Sequence, residues 1–503
     1  MPKNPDILYI MCDQFRYDSI AALGNNIIRT PNLDRLAARG AVFTNAYSTC
    51  PVCVPARYTI MTGREPYNTG CYSNEVPAPL DGLPAKMEDR CGDYIARTMA
   101  KAGYRTFGVG KFHTCPETYE DLGFQTHIHT EEIPGSPADR QKDGYASFLH
   151  NNYPEFDFIE QIHGERTDMY YMPQTSLLPA ELTVENYVAD RVIEQINADC
   201  DFDRPYFGFV SFIGPHPPFA PPIPYNRMYN PDIIPNPVRG DISCDHMDEQ
   251  ITWMNYLIWA DELNDFSARI AKARYYGEIT YIDNCIGKIL DCVEARGNSD
   301  NTLICFFTDH GDMIGDHSAW QKECYFEQSC HIPFFVSLPD KIAANTKTDS
   351  IAALTDLFGI ATAAAGIGDM RDGADILGGI YKNNPDNPAR EYLFACYMRP
   401  GTPYFKIMIR HENYKYIYMA NGGREQLFDI SRDSYELVNL ADKLPEITRK
   451  YNLYAANYCN RKGLLGAIDD KGELKRFDFT ERALFRIHQF DASRGVRDFT
   501  VTK

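Results

Sequence analysis

A chain of 503 residues, 44% hydrophobic and 24% charged, has the composition of a globular protein and more length than one ordinary domain needs. Its 50 basic and 69 acidic residues leave a net charge of −19 with no basic run, which argues against nucleic acid and requires any anionic substrate to be met by local positive charge. Fifteen cysteines, an odd number without framework spacing, read as reduced thiols. With no apolar leader and no run of membrane-span length, a cytoplasmic protein that does not enter membranes is expected.

The segment Asp6–Met11 reads as a short apolar strand that stops at Cys12-Asp13-Gln14, and PNLDRLAARG has helical spacing. In residues 50–64, CPVCVPARYTIMTGR, Pro55 suits the first turn of a helix, where its missing N–H is no loss, and Gly63 suits the helix end. Cys53 then lies at the positive end of that helix, where an anion is stabilised, and Arg57 one turn on can reach the same point. Residues 92–104 are helical and lead into RTFGVGKFH, a strand ending in Lys111 and His113. From 114 to 178 no period is visible, and the segment reads as long loops around a site.

Residues 180–200 form an amphipathic helix, and PYFGFVSFIG gives an apolar strand ending at Pro215-His216-Pro217-Pro218. A helical block ending at Gly297 precedes TLICFFTDHGD, a buried strand that ends in Asp309 and His310. Strand after strand hands over to polar residues at its carboxyl end. In a doubly wound α/β sheet ligands bind outside those ends, so Asp13, Cys53, Lys111, His113, His216, Asp309 and His310 are expected to face one crevice. PFFVSLP is a further strand and ALTDLFGIATAAAG a further helix. From about residue 398 antiparallel strands follow, with Asn421-Gly422-Gly423 as a turn. The expected architecture is a large doubly wound mixed α/β sheet flanked by helices over residues 1–397. A smaller C-terminal α+β domain, with antiparallel sheet, helix and extended tail, takes 398–503. The basic, aromatic tail from Lys471 is expected to lie across the large domain or to join copies of the chain.

Taken singly these residues have plain structural readings. Cys50 and Cys53 could be a redox dithiol or half of a zinc site, Asp13 a strand-end cap, and Thr308–Asp312 a polar turn. Together they resemble the type I sulfatases of the alkaline phosphatase superfamily. Cys53-x-Pro55-x-Arg57 followed by Thr62-Gly63 is similar to the signature of that family, with Ala56 where serine is common. The resemblance implies that a maturation enzyme converts Cys53 to formylglycine, whose hydrate is the nucleophile. It also implies a divalent metal, calcium by default with manganese tolerated, on Asp13, Asp309, His310 and the modified Cys53. The pairs Asp13-Gln14 and Asp309-His310 resemble choline sulfatases and phosphonate monoester hydrolases more than the many sulfatases with Asp-Asp and Asp-Asn. Gln14 is not counted as a ligand.

Gly-Lys111-x-His113, Pro-His216-x-Pro-Phe and Lys322 after Trp320 match places where the family keeps sulfate-binding and acid–base residues. Lys111, Lys322, Arg57 and the metal would stabilise charge on the transferring group, and His216 or Lys322 would protonate the departing alkoxide. His113 would take the proton from the second hydroxyl, expelling sulfate and restoring the aldehyde. RDSYELVNLAD at 432–442 resembles a C-terminal segment of the family, whereas His331 stands where many relatives have arginine and is assigned nothing beyond a substrate contact. The function implied is hydrolysis of a carbohydrate, choline or aryl sulfate, with a phosphonate monoester or phosphodiester as the alternative. Tyr170 and Tyr171 are candidates to stack on a sugar or enclose a quaternary ammonium. A non-catalytic binding protein on the same fold would be expected to have lost part of this charged set.

Overall fold

The computed structural model describes residues 4–486 apart from 75–83, 85, 132–136, 157–170, 172, 199–203, 242–246 and 382–389. Its larger sheet contains β1 (Asp6–Cys12), β2 (Ala41–Tyr47), β3 (Arg105–Gly110), β4 (Thr126–His129), β5 (Tyr206–Phe212), β6 (Thr302–Thr308), β7 (Phe334–Ser337) and β8 (Thr346–Ala353), in the order β4-β3-β5-β1-β6-β7-β2-β8. β1 pairs in parallel with β5 and β6, while β7 runs antiparallel to β6 and β2, so the sheet is mixed as expected.

The central strands are apolar throughout because both faces are covered. Side chains alternate between two cores, as the pleat requires. Leu8, Ile10 and Cys12 point into the core that holds the 31-residue helix Asp265–Ala295 and the helix Val184–Asn197. Ile7, Tyr9 and Met11 point into the core shared with Ile60 and Met61 of the helix Cys53–Thr62 and with Leu357 and Phe358.

A second sheet, antiparallel and ordered β12-β11-β10-β9, contains β9 (Tyr392–Tyr397), β10 (Lys406–His411), β11 (Tyr414–Met419) and β12 (Arg424–Asp429). It begins six residues ahead of position 398, because Tyr392–Tyr397 pairs with β10 along its whole length. One face packs on the helix Pro445–Arg461. The other packs Met408, Ile417, Met419 and Phe428 against Cys50, Val52, Tyr325 and Phe326, so the small sheet supports the segments that flank Cys53 and Lys322. The tail from Lys471, as far as Arg486, lies on its own chain: Arg482 stacks on Trp253 and Arg486 on Tyr256.

The region 114–178 is more regular than its sequence suggests. Thr126–His129 is the edge strand β4, and Gly144–Asn152 is a helix whose N-cap Asp143 accepts from the Ala146 N–H. A four-residue edge strand with two histidines carries no periodic signal. β2 and β8 are likewise silent in the sequence: Thr44 and Asn45 are half-buried beside a register shift, and Thr346–Ser350 alternates polar residues along an edge.

Candidate active site

The crevice is set by where the strands stop. β1 delivers Asp13 and Gln14, β3 delivers Lys111 and His113, β6 delivers Asp309 and His310, and the loop after β5 brings His216. Cys53 is the first residue of its helix, with the preceding Val52 extended and Gly63 at φ 65° closing the far end. Gly311 is needed beside the site, since a Cβ there would lie 2.0 Å from Gln328 O.

Asp13, Cys53, Asp309 and His310 are all buried, and one potential ligand atom from each lies within 4.8 Å of the others. Cys53 Sγ is 3.2 Å from His310 Nε2 and 3.9 Å from Asp13 Oδ1. His310 Nδ1 is 3.0 Å from Gly311 O, which can only accept, so Nδ1 carries the hydrogen and the Nε2 lone pair is turned into the cluster. Two carboxylates, an imidazole held in this tautomer and the position-53 side chain form a donor set that fits a divalent cation. Burial disfavours the His310 imidazolium, but Asp309 and then Cys53 outweigh it and raise the pKa. The anions that attract a proton there would equally favour a metal in its place.

Fixed cations surround this cluster. Arg57 donates from Nη2 to Asp13 Oδ2 at 3.0 Å, from Nε to Asp309 Oδ2 at 3.1 Å, and from Nη1 to Lys111 O at 2.5 Å. Lys111 Nζ reaches Asp13 Oδ2 at 2.5 Å. Burial works against the Asp13 carboxylate, but Lys111, His216, Arg57 and His310 together hold it well below the usual range. The thiol of Cys53 is shaped the same way. Burial and Asp13 push it up, yet Lys322, His310 and Lys111 bring it down to about 6. Every other described cysteine is raised, Cys50 three residues away included, chiefly by burial. The helix-start position among these cations therefore selects one thiol for anionic chemistry.

Interaction with the Cys53 side chain, and then Glu131, raises the His113 pKa against the larger effect of burial. The His113 backbone is left-handed, at φ 45°, and is pinned by donation of its N–H to Glu131 Oε1 at 2.7 Å. Opposite, Lys322 Nζ lies 2.6 Å from Gln14 Oε1 and 3.3 Å from His216 Nε2. His216 Nδ1 faces Pro217 O at 2.9 Å and must donate to it, so Nε2 is left to accept from the Lys322 ammonium.

Asp13, Cys53, Arg57, Lys111, His113, His216, Asp309, His310 and Lys322 thus meet at one centre. Gln14 stands apart from the donor cluster: its amide nitrogen donates to Asp312 Oδ2 and to Tyr171 OH at 3.2 Å, leaving its oxygen for Lys322. Tyr171 departs from expectation. It is 2% exposed, its ring packs on Phe219 and Trp320, and its hydroxyl donates to Asp312 Oδ2 at 2.6 Å, so the ring has no free face for a ligand. Tyr170 lies outside the described residues. His331 stacks on Tyr17 at 3.8 Å, faces Thr44 O and pairs with Glu327, contacts that tie it into packing between the sheets. The sequence reading assigns no role to Asp312 or Glu131. Asp312 is part of the TDHGD turn and could have been flagged there, whereas nothing local marks Glu131.

Fold and site together define a member of the alkaline phosphatase superfamily, and comparison narrows it. The sulfatase family profile matches residues 5–367. The arylsulfatase of Clostridium perfringens is 30% identical over 452 residues, 87% of this chain and 90% of that protein. The choline-sulfatase of Rhizobium meliloti is 28% identical over 465 residues, 87% and 83% of the two chains. The crystal structure of the phosphonate monoester hydrolase of Agrobacterium radiobacter shares the fold, with a TM-score of 0.76 at 23% identity over 94% of this chain and 100% of that one. The chain belongs to the sulfatase family, the sulfuric ester hydrolases.

Proposed function

We propose that the protein hydrolyses a sulfate monoester of an alcohol, a sugar, choline or a phenol, with Cys53 as the site of the nucleophile and Asp13, Asp309 and His310 as holders of a divalent cation, calcium. The observation that carries this reading is the convergence of those four side chains beneath Arg57, Lys111 and Lys322. Formylglycine derived from Cys53 would supply the attacking hydroxyl, and the cation would offset charge on the sulfate oxygens.

The chain's own residues account for the rest. Arg57 bridges Asp13 and Asp309 and holds both carboxylates in place, at a geometry where one unpaired buried charge would cost several kcal/mol. Lys111 and Lys322 lie near enough to Cys53 to lower its thiol pKa, and the same fields would favour charge developing on the transferred group. Lys322 holds the proton that faces the leaving oxygen, with His216 Nε2 as its acceptor and Gln14 fixing its direction. His113, on the Cys53 side, takes the proton whose removal releases sulfate. Cys53 is 1% exposed, so its maturation enzyme would meet it before folding is complete.

A phosphonate monoester carries the same single charge on the same tetrahedral shape, and the Asp13-Gln14 and Asp309-His310 pairs favour it as the second reading. Specificity constants on aryl sulfate and aryl phosphonate decide between them: the sulfate is expected to exceed the phosphonate, and the reverse order would install the second reading. Addition and chelation of calcium should raise and abolish turnover respectively.

A further inference from the structure

We propose that Arg482, in the C-terminal tail, is a positioning residue for Lys322, acting through Gln250 and Glu323 so that the leaving-group end of the site is set from the far end of the chain. The inference rests on the role given above to Lys322.

Lys322 sits between two non-glycine residues in the left-handed region, Gln321 at φ 70° and Glu323 at φ 75°. A side chain with a Cβ is strained in that region, so the loop keeps this shape only if its surroundings impose it. On one side the Gln321 N–H donates to Tyr171 OH at 3.0 Å. On the other, the Glu323 N–H donates to Pro51 O at 3.1 Å, two residues before Cys53, and its carboxylate is buried. Glu323 Oε2 accepts from Tyr397 OH at 2.8 Å and from Gln250 Nε2. Among the described residues no lysine or arginine reaches this carboxylate directly.

Gln250, 2% exposed at the start of the helix Glu249–Leu257, is the link. Its Oε1 accepts from Arg482 Nη1. Arginine only donates and an ionised glutamate only accepts, so an amide lying between them has one permitted orientation: oxygen to Arg482, nitrogen to Glu323. Without Arg482 the amide is free to turn, and a turned amide sets a carbonyl oxygen against a buried carboxylate. The guanidinium is itself held, 3.7 Å from the Trp253 ring centre and 4.7 Å from that of Tyr404. The tail is fastened independently on either side, by Thr480 on Asn421 and by Arg486 on Asp261. Removing the Arg482 side chain therefore releases the amide without releasing the tail.

The test compares para-nitrophenyl sulfate, whose leaving group departs unaided, with phenyl sulfate, whose more basic phenolate needs the proton. Arg482→Ala is expected to lower kcat on phenyl sulfate about 10-fold and on the nitrophenyl ester less than twofold, since small misplacement of a reacting group is costly. Arg482→Lys, which keeps a donor for Gln250 Oε1, is expected to restore most of the loss, and the melting temperature should stay near wild type. Equal losses on both esters, or no loss on either, would overturn the proposal. Lys322→Ala is run alongside. A leaving-group-dependent loss there but not in Arg482→Ala refutes the positioning role alone, whereas none in Lys322→Ala refutes the role given to Lys322 itself.

Discussion

Two buried charge networks in this molecule are built in opposite ways. Between the sheets, Lys415 Nζ lies 2.8 Å from Glu327 Oε1 and 2.6 Å from Glu436 Oε1, the Glu327 N–H donates to Glu436 Oε2 at 2.7 Å, and Glu327 Oε2 takes His331 and Tyr47. Each carboxylate oxygen has a partner, and the network closes on itself. At the end of the large sheet, Arg57 and Lys111 hold Asp13 Oδ2 and Asp309 Oδ2. Asp13 Oδ1, His310 Nε2 and Cys53 Sγ are turned toward a common point at 3.2 to 3.9 Å. The closed network joins two sheets, and the open one keeps donors facing inward at a strand-end crevice. Burial and charge density alone do not mark a site; what marks it is donor capacity the protein leaves unspent.

The comparison breaks first at Cys53. Cys53→Ala should lower aryl sulfate turnover by on the order of 10⁵-fold while leaving the melting temperature nearly unchanged, because the nucleophile is lost and no ion pair is broken. Lys415→Met should do the reverse. It strands two buried carboxylates and should cost about 3–5 kcal/mol in denaturant unfolding, with kcat per folded molecule unchanged. A Lys415→Met chain of normal stability and lost activity would erase the distinction.

Glu131 lies between the two kinds. Burial would raise its carboxyl, but His129, with help from His113 and Lys111, brings it from 4.5 down to about 2. A depressed carboxylate contributes stability above its unfolded pKa and loses it as pH falls through the folded one. The unfolding free energy lost in Glu131→Gln should therefore be about 3 kcal/mol at neutral pH and should vanish between pH 4.5 and pH 2. A gap that does not depend on pH would mean that Glu131 acts only through the backbone of His113. Smallest and most selective is His216→Ala, expected to lower turnover of an alkyl or sugar sulfate by on the order of 10²-fold with a much smaller loss on nitrophenyl sulfate. Equal losses would place His216 on the sulfate group instead.

Much of the open network can be read in the sequence, because each member follows an apolar strand or opens a helix, and those are local signals. Asp13, Lys111, Asp309 and the Cys53 helix are visible for that reason, as is the alternation of strands and helices that brings them together. What is not legible depends on distant pairing. The role of Gln14 is not legible until Tyr171 and Asp312, 157 and 298 residues away, take its amide nitrogen and turn its oxygen to Lys322. The closed network is almost invisible, since Glu327, Lys415 and Glu436 meet only after two sheets have packed. β9 is hidden too, since the partner that makes it a strand, β10, comes after it in the chain.

The central claim is that position 53 carries the nucleophile of a sulfate ester hydrolase in modified form. The direct measurement is mass spectrometry of the peptide containing Cys53, from chain produced with a formylglycine-generating enzyme, set against para-nitrophenyl sulfate turnover of the same preparation. Turnover is predicted to rise in proportion to the fraction of chains carrying the aldehyde and to extrapolate to nothing for the thiol. Full turnover from chains whose Cys53 is wholly unmodified would contradict the account.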